Sequence, residues 1–255
     1  MHFLRLKDQL LLRVAGNLEH ASEILALAKT NKRLYHTLRP NLYEFNVQQQ
    51  NSSALMWSAK NDRSELAKAL IREFKADVNA IHEGGTPLIL AAKLGSESVV
   101  RVLLSVPEIN LNARNHNQET ALWCAANKGK TAVVEGLLKE ENIELDCHDA
   151  ACGLTPLAAA TMNGHTMITR RLRDTGKVDI NKQDKLGWTP AFHALWYKRY
   201  DILRDLLAES ALDHTHRDKQ GRDLLRVANE WDRVEAVWGL VTSNVSSVVD
   251  QEGRE

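Results

Sequence analysis

Gly85 to Ala113 reads G-T-P-L-I-L-A-A-K-L-G-S-E-S-V-V-R-V-L-L-S-V-P-E-I-N-L-N-A, and this stretch decides the fold. The Thr86 hydroxyl is suited to accept from the free N–H groups of a first helical turn, and Pro87 suits the first helical position, where no N–H is needed. Leu88, Leu90, Ala91 and Ala92 give the predicted helix an apolar face with small residues that allow close packing. Gly95 supplies the left-handed conformation that ends it. Val99, Val100, Leu103 and Leu104 then form a second stripe of 3.6-residue period, which Pro107 stops. The segment is a helix, a tight turn and a helix.

The same unit recurs along the chain. Aligned on the helix-capping position, the copies start at Ser53, Thr86, Thr120, Thr155, Thr189 and Asp223, with steps of 33, 34, 35, 34 and 34 residues. Five places on stand Ser58, Ala91, Ala125, Ala160, Ala194 and Ala228; thirteen places on stand Leu66, Val99, Val133, Ile168, Ile202 and Ala236. A loop pair holds the same phase at Val78-Asn79, Leu111-Asn112, Leu145-Asp146 and Ile180-Asn181, fading to His214-Thr215. The single long step places its extra residue in Asp149-Ala150-Ala151-Cys152-Gly153, where an altered loop tip is expected.

A period of about 33 residues with a T-P-L-H-x-A signature marks ankyrin repeats, and the chain resembles that family from about residue 52 to 242. The resemblance implies an all-α, ankyrin-repeat solenoid of about six repeats, the last a degenerate cap carrying Trp231 and Trp238. Each repeat buries its helices only against its neighbours, so stability accumulates interface by interface. Residues 243–255 read as a loose tail.

Residues 1–48 carry no repeat and read as three short helices. Leu6, Leu10, Leu11, Val14 and Leu18 fall on one face; Ile24, Leu25, Leu27 and Ala28 form a second apolar set, and Leu34, Tyr35 and Leu38 a third, closed by Pro40. The strings L-x-x-x-L-L-L-R-V, S-E-I-L-A-L-A-K-T-N-K-R-L-Y and P-N-L-Y resemble an F-box, with Lys7 and Gln9 where that family usually has Pro and Glu. The resemblance implies a Skp-type adaptor as partner, contacted through Leu6, Leu10, Leu11, Val14, Leu18 and Ile24. The chain would then be the substrate receptor of an SCF-type cullin-RING ubiquitin ligase. The alternative is that these helices only cap the array, leaving a non-catalytic scaffold or inhibitor.

Composition narrows the classes further. The 255 residues include 33 Lys and Arg against 33 Asp and Glu, a net charge of zero that advertises neither nucleic acid nor membrane. Three cysteines, Cys124, Cys147 and Cys152, are too few and too odd for a disulfide framework. With no run of about 18 apolar residues and a charged N-terminal stretch, an intracellular protein, cytoplasmic or nuclear, is expected. Cys147, His148 and Cys152 lack a fourth ligand at a zinc spacing, and Gly84-Gly85 lacks the lysine of a phosphate loop. No catalytic set, metal or cofactor is expected.

Function therefore falls to a binding surface. Resemblance to the family implies a concave face built from the hairpin tips and the exposed end of each first helix. The residues preceding the caps are Ser52, Gly85, Glu119, Leu154, Trp188 and Arg222; the helical pairs include Lys93-Leu94, Asn127-Lys128, Met162-Asn163 and Trp196-Tyr197. Trp188, Trp196 and Tyr197, flanked by Leu154 and Met162 and rimmed by Lys93, Lys128, Lys185, Arg199 and Arg222, have the composition of a partner hot spot. In the competing reading Trp196 fills a groove against the last repeat beside Trp231, with Phe192 as anchor.

Overall fold

The computed structural model describes residues 53–82 and 84–237. The first 52 residues, with the F-box-like strings and their six apolar contacts, lie outside the described residues, as do Trp238 and the C-terminal tail. Among the described residues the chain is helical, with no strand and two isolated bridges, His82 to Gly85 and Arg217 to Asp223.

Among the described residues, eleven α-helices and one 3-10 turn follow the sequence register. They are α1 (Ser53–Lys60), α2 (Ser64–Arg72), α3 (Pro87–Leu94), α4 (Glu97–Leu104), α5 (Ala121–Asn127), α6 (Thr131–Leu137), α7 (Pro156–Asn163), α8 (Thr166–Arg173), α9 (Pro190–Trp196), α10 (Tyr200–Leu207) and α11 (Leu224–Glu230), then Val234–Val237. Two compact units result, one running through Asn110 and the other from Leu111 onward, with Ala92–Gly95 belonging to the second. In the first, α1, α2 and α4 pack together. In the second, the first helices α5, α7, α9 and α11 stack in sequence and the second helices α6, α8 and α10 do the same.

Capping follows the expected chemistry with two exceptions. Thr86, Thr120, Thr155 and Asp223 each accept from the N–H three residues on, at 3.4, 3.2, 3.2 and 2.8 Å. Thr189 is extended but makes no such bond, and Ser53 stands inside the first turn of α1. The residue nine places after each capping position is left-handed in all six copies: Asp62, Gly95, Gly129, Gly164, Lys198 and Asp232. Glycine serves in three, and Lys198 takes the conformation where a side chain is disfavoured.

Three ladders tie neighbouring repeats together. In the loop position that follows each second helix, Asn79, Asn112 and Asn181 each donate to one carbonyl of the next repeat and accept from one of its N–H groups. Asn112, for instance, donates to the Asn142 carbonyl and accepts from the Glu144 N–H, both at 2.8 Å. At the hairpin tips the Ala150, Lys185 and Lys219 N–H groups bond the Asn117, Cys152 and Leu186 carbonyls. At the helix ends His165 lies 3.2 Å from the Asn127 carbonyl, while Arg199 donates to Met162 O and Arg233 to Leu195 O and Trp196 O. These basic groups meet the negative ends of the preceding helices.

The loop ladder has one defective rung. Asp146 occupies the Asn position and accepts from the Asp179 N–H, but a carboxylate has no proton to donate. Its Oδ1 is buried without a partner. Burial raises its pKa above the ordinary carboxylate value, outweighing the Asp179 hydrogen bond. Asp146→Asn should therefore raise the unfolding free energy by about 1 kcal/mol at neutral pH. Because the folded-state pKa is raised, protonation favours the native chain, and this cost develops as pH rises through the carboxylate range. The gain from Asn should shrink below about pH 4. Urea titrations at both pH values check it, and an unchanged or less stable variant refutes the account.

The hairpin carrying the extra residue is altered as expected. Elsewhere the loop Asn or Asp bonds the carbonyl four residues on, as in Asn115 to Glu119, Asp184 to Trp188 and Asp218 to Arg222. Asp149 instead closes five residues on, at Leu154 O. Its carboxylate gathers the N–H groups of Ala151, Cys152 and Leu154, which stabilises the longer tip.

Candidate functional site: an aromatic and cationic edge

Asp184 organises the hairpin before the fifth repeat. Its Oδ1 accepts from the Leu186 and Trp188 N–H groups at 2.7 and 2.8 Å, and its Oδ2 lies 3.0 Å from His193 Nε2. Both side chains are buried. Burial pushes the Asp184 carboxyl up, but the bonds from His193, Trp188 and Leu186 together outweigh it and hold the pKa below the ordinary value. His193 Nδ1 is buried with no partner, so Nε2 is the ring nitrogen that meets Asp184. Asp218 does the same for the next hairpin, bonding the Gln220 and Arg222 N–H groups and the Arg222 guanidinium.

These two carboxylates set the indole positions. Trp188 packs edge-on to His193 at 5.4 Å and to Trp231 at 6.0 Å, and lies 5.5 Å from Trp196. Trp196 meets Trp231 edge to face at 4.4 Å. The guanidinium of Arg233 sits 5.4 Å, and that of Arg222 5.9 Å, from the Trp231 ring. Trp196 and Tyr197 remain 43% and 42% exposed despite these contacts. Offset and edge-to-face aromatic contacts are the favoured geometries, so one side of the cluster is held rigid while the other faces solvent.

The structure divides the expected partner residues. Trp188 is half-buried, Trp196 and Tyr197 are exposed, Met162 is half-exposed, and Lys93 and Lys128 are exposed. Leu154 is a correction: it is 5% exposed, because its carbonyl accepts from the buried Trp123 indole at 2.7 Å and draws the residue inward. Arg222 is not a free cation, being ion-paired with Asp218 at 2.8 Å and Glu230 at 3.1 Å. Lys185 reaches the Ala150 carbonyl. The groove reading is realised in part, since Trp196 does pack on Trp231 and Phe192 is buried.

Two contributors were absent from the sequence-based set: Arg233 anchors the cluster from the last repeat, and the Asp184–His193 pair supports it, while Trp231 stands beside Trp196 as the groove reading has it. A basic residue recurring ten places after the cap, Lys130, His165, Arg199 and Arg233, was the available signal.

The cysteine region is quieter. Burial and then Glu119 push the Cys124 thiol up to about 12, and burial pushes Cys147 up to about 11, so neither is a ready thiolate. Cys147 lies 3.0 Å from the Thr120 hydroxyl, and Cys152 is exposed. In the first unit a cleft of about 480 Å³ opens between the loops around Ala76–Asn79 and Ser105–Glu108, with mixed polar and apolar walls. Among the described residues no helix is long and apolar enough to cross a membrane.

Known proteins share this pattern. A family model described as ankyrin repeats (3 copies) matches residues 18–115, 55–149, 106–172 and 122–218. The chain is 31% identical over 145 residues to the probable 26S proteasome regulatory subunit p28 of Saccharomyces cerevisiae, covering 55% of this chain and 63% of that protein. It is 29% identical over 138 residues to Rabankyrin-5 of Mus musculus, covering 53% of this chain and 12% of that protein. A 99-residue stretch is 33% identical to the ankyrin repeat and KH domain-containing protein mask-1 of Caenorhabditis elegans, covering 39% and 4%. The chain thus spans less than two thirds of each of these relatives.

Proposed function

The chain belongs to the ankyrin-repeat family, and from that premise we propose that it is a non-catalytic protein-binding module whose partner seats on the edge formed by Trp188, Trp196 and Tyr197. The observation that carries this reading is the exposure of two large aromatic rings held rigid from behind. Rigid, half-packed aromatics contribute most of the affinity when a partner desolvates them. Met162, Lys93 and Lys128 extend the surface, and Arg222 contributes by fixing Trp231 rather than by offering a charge.

In the finer form of this proposal the chain is a substrate receptor of an SCF-type ligase. The F-box-like strings in residues 1–48 would hold a Skp-type adaptor while the repeats hold the target, and effective concentration does the rest. Co-purification with a Skp-family adaptor tests it. Stoichiometric binding is expected, and it should be lost in a Leu10→Asp, Leu11→Asp double variant whose repeats keep their helical circular dichroism. A well-folded wild-type chain that binds no adaptor refutes the receptor role. The likeness to a proteasome regulatory subunit then favours a second reading, in which the array is a scaffold docked on a larger assembly.

A further inference from the structure

Among the described residues, the cations of the partner edge have no carboxylate paired with them. Lys128, Lys198 and Arg199 form no ion pair among the described residues, although Arg199 Nε donates to the Met162 carbonyl. The hairpin carboxylates are spent inward: Asp149 and Asp184 close their hairpins, and Asp218 holds its hairpin together with Arg222, while Glu230 of the last repeat is ion-paired with Arg222 and Arg226 and Asp232 is exposed. On the second helices, by contrast, Arg170, Arg171 and Arg173 are matched by Asp205, Glu135 and Glu209.

The cations and the rings share one row. Asn163 donates to Asn127 at 2.8 Å, Arg199 to Met162 at 3.2 Å and Arg233 to Trp196 at 2.8 Å, so the first-helix ends of four successive repeats are stitched side by side. Lys128, Met162 and Trp196-Tyr197 therefore follow one another along the edge. Lys198 also stands in a left-handed turn where three other copies use glycine, placing a charge beside the rings at a conformational cost.

We propose that this edge takes an acidic, extended peptide segment of a protein partner. An aromatic or large aliphatic side chain would seat on Trp196 and Tyr197, with carboxylates on Lys128, Lys198 and Arg199. Helix packing separates neighbouring repeats by roughly 8–10 Å, so Lys128 and Lys198 stand about 20 Å apart. An extended chain rising about 3.3 Å per residue covers that distance in roughly six residues. The segment is thus short, with acidic residues flanking one apolar anchor. This inference rests on the partner edge proposed above.

Panning a random library of peptides about twelve residues long against the full chain tests both the edge and its chemistry. The expected consensus carries Asp and Glu around one aromatic residue. Anisotropy of a labelled consensus peptide should show binding weakened on the order of tenfold or more by Lys128→Glu with Lys198→Glu, two exposed positions, and also by Trp196→Ala. Thermal melts of each variant separate lost binding from lost folding. A basic or uncharged consensus that still needs Trp196 would overturn the acidic chemistry and leave the edge standing. Peptides indifferent to every variant would overturn the edge itself, and tighter binding of an oligothymidine of similar length would replace the peptide by nucleic acid.

Discussion

Leu137→Ala is expected to lower the unfolding free energy by about 2–5 kcal/mol. Leu137 is fully buried at the end of α6, with Val133 and Val134 on the same helix also buried. That helix is too short to be stable alone and is held by α5 and α8. Truncation removes the transfer energy of the side chain and leaves a cavity that close-packed neighbours fill only in part. Because each repeat is stabilised by its neighbours, the loss should also be felt beyond the third repeat, as an earlier and broader unfolding transition. Lys139→Ala, an exposed change two residues away, should stay within about 0.5 kcal/mol. Urea denaturation followed by far-UV circular dichroism makes the comparison; similar midpoints for the two variants would refute the interface account.

Asp184→Ala should cost about 3 kcal/mol, because it removes the buried carboxylate that accepts from the Leu186 and Trp188 N–H groups and meets His193 Nε2. It should also loosen Trp188, which the loop presents to Trp196 and Trp231, so indole fluorescence should change in the still-folded variant. The pH dependence follows from sign. Asp184 and Asp218 both have folded-state pKa values below the ordinary carboxylate value, so their stabilisation is complete above the unfolded pKa and is lost as pH falls through the folded one. Acid should destabilise the wild-type chain from about pH 4 downward. The Asp184→Ala variant should lose less over the same interval. An equal acid slope in both proteins would mean that Asp184 is not a source of the acid sensitivity.

The Asp146 defect works in the opposite direction, since its pKa is raised and its cost is present at neutral pH. Both kinds of carboxylate occur in loops of one array, Asp146 in the loop after a second helix and Asp184 and Asp218 in the hairpins. Asp184 and Asp218 face donors, whereas Asp146 has one oxygen facing none. Sequence phase placed Asp146 in its loop but carried no sign that one of its oxygens would face no donor.

The repeat was legible residue by residue. Thr-Pro at the helix start, a left-handed residue nine places on and alternating apolar stripes are local signals, governed by backbone sterics and by a period the chain states itself. The helix pairs and the altered Asp149 hairpin follow from them. Placement on the edge was legible less evenly. Trp196 and Tyr197 are exposed as their phase implies, but Leu154 is drawn inward by a hydrogen bond from Trp123, thirty-one residues earlier in the chain.

What the sequence determined by itself is therefore the architecture of the array: short-range preferences repeated at a fixed interval leave one way for neighbouring repeats to bury their apolar stripes. Only the tertiary structure decided which side chains of the edge remain available. Availability depends on tertiary contacts: Arg233 reaches Trp196 from the next repeat, Asp218 claims Arg222 within its own hairpin, and Trp231 covers one side of the indole cluster. The period places a residue on its helix or loop but does not say which neighbour it meets, because that depends on the three-dimensional reach of individual side chains.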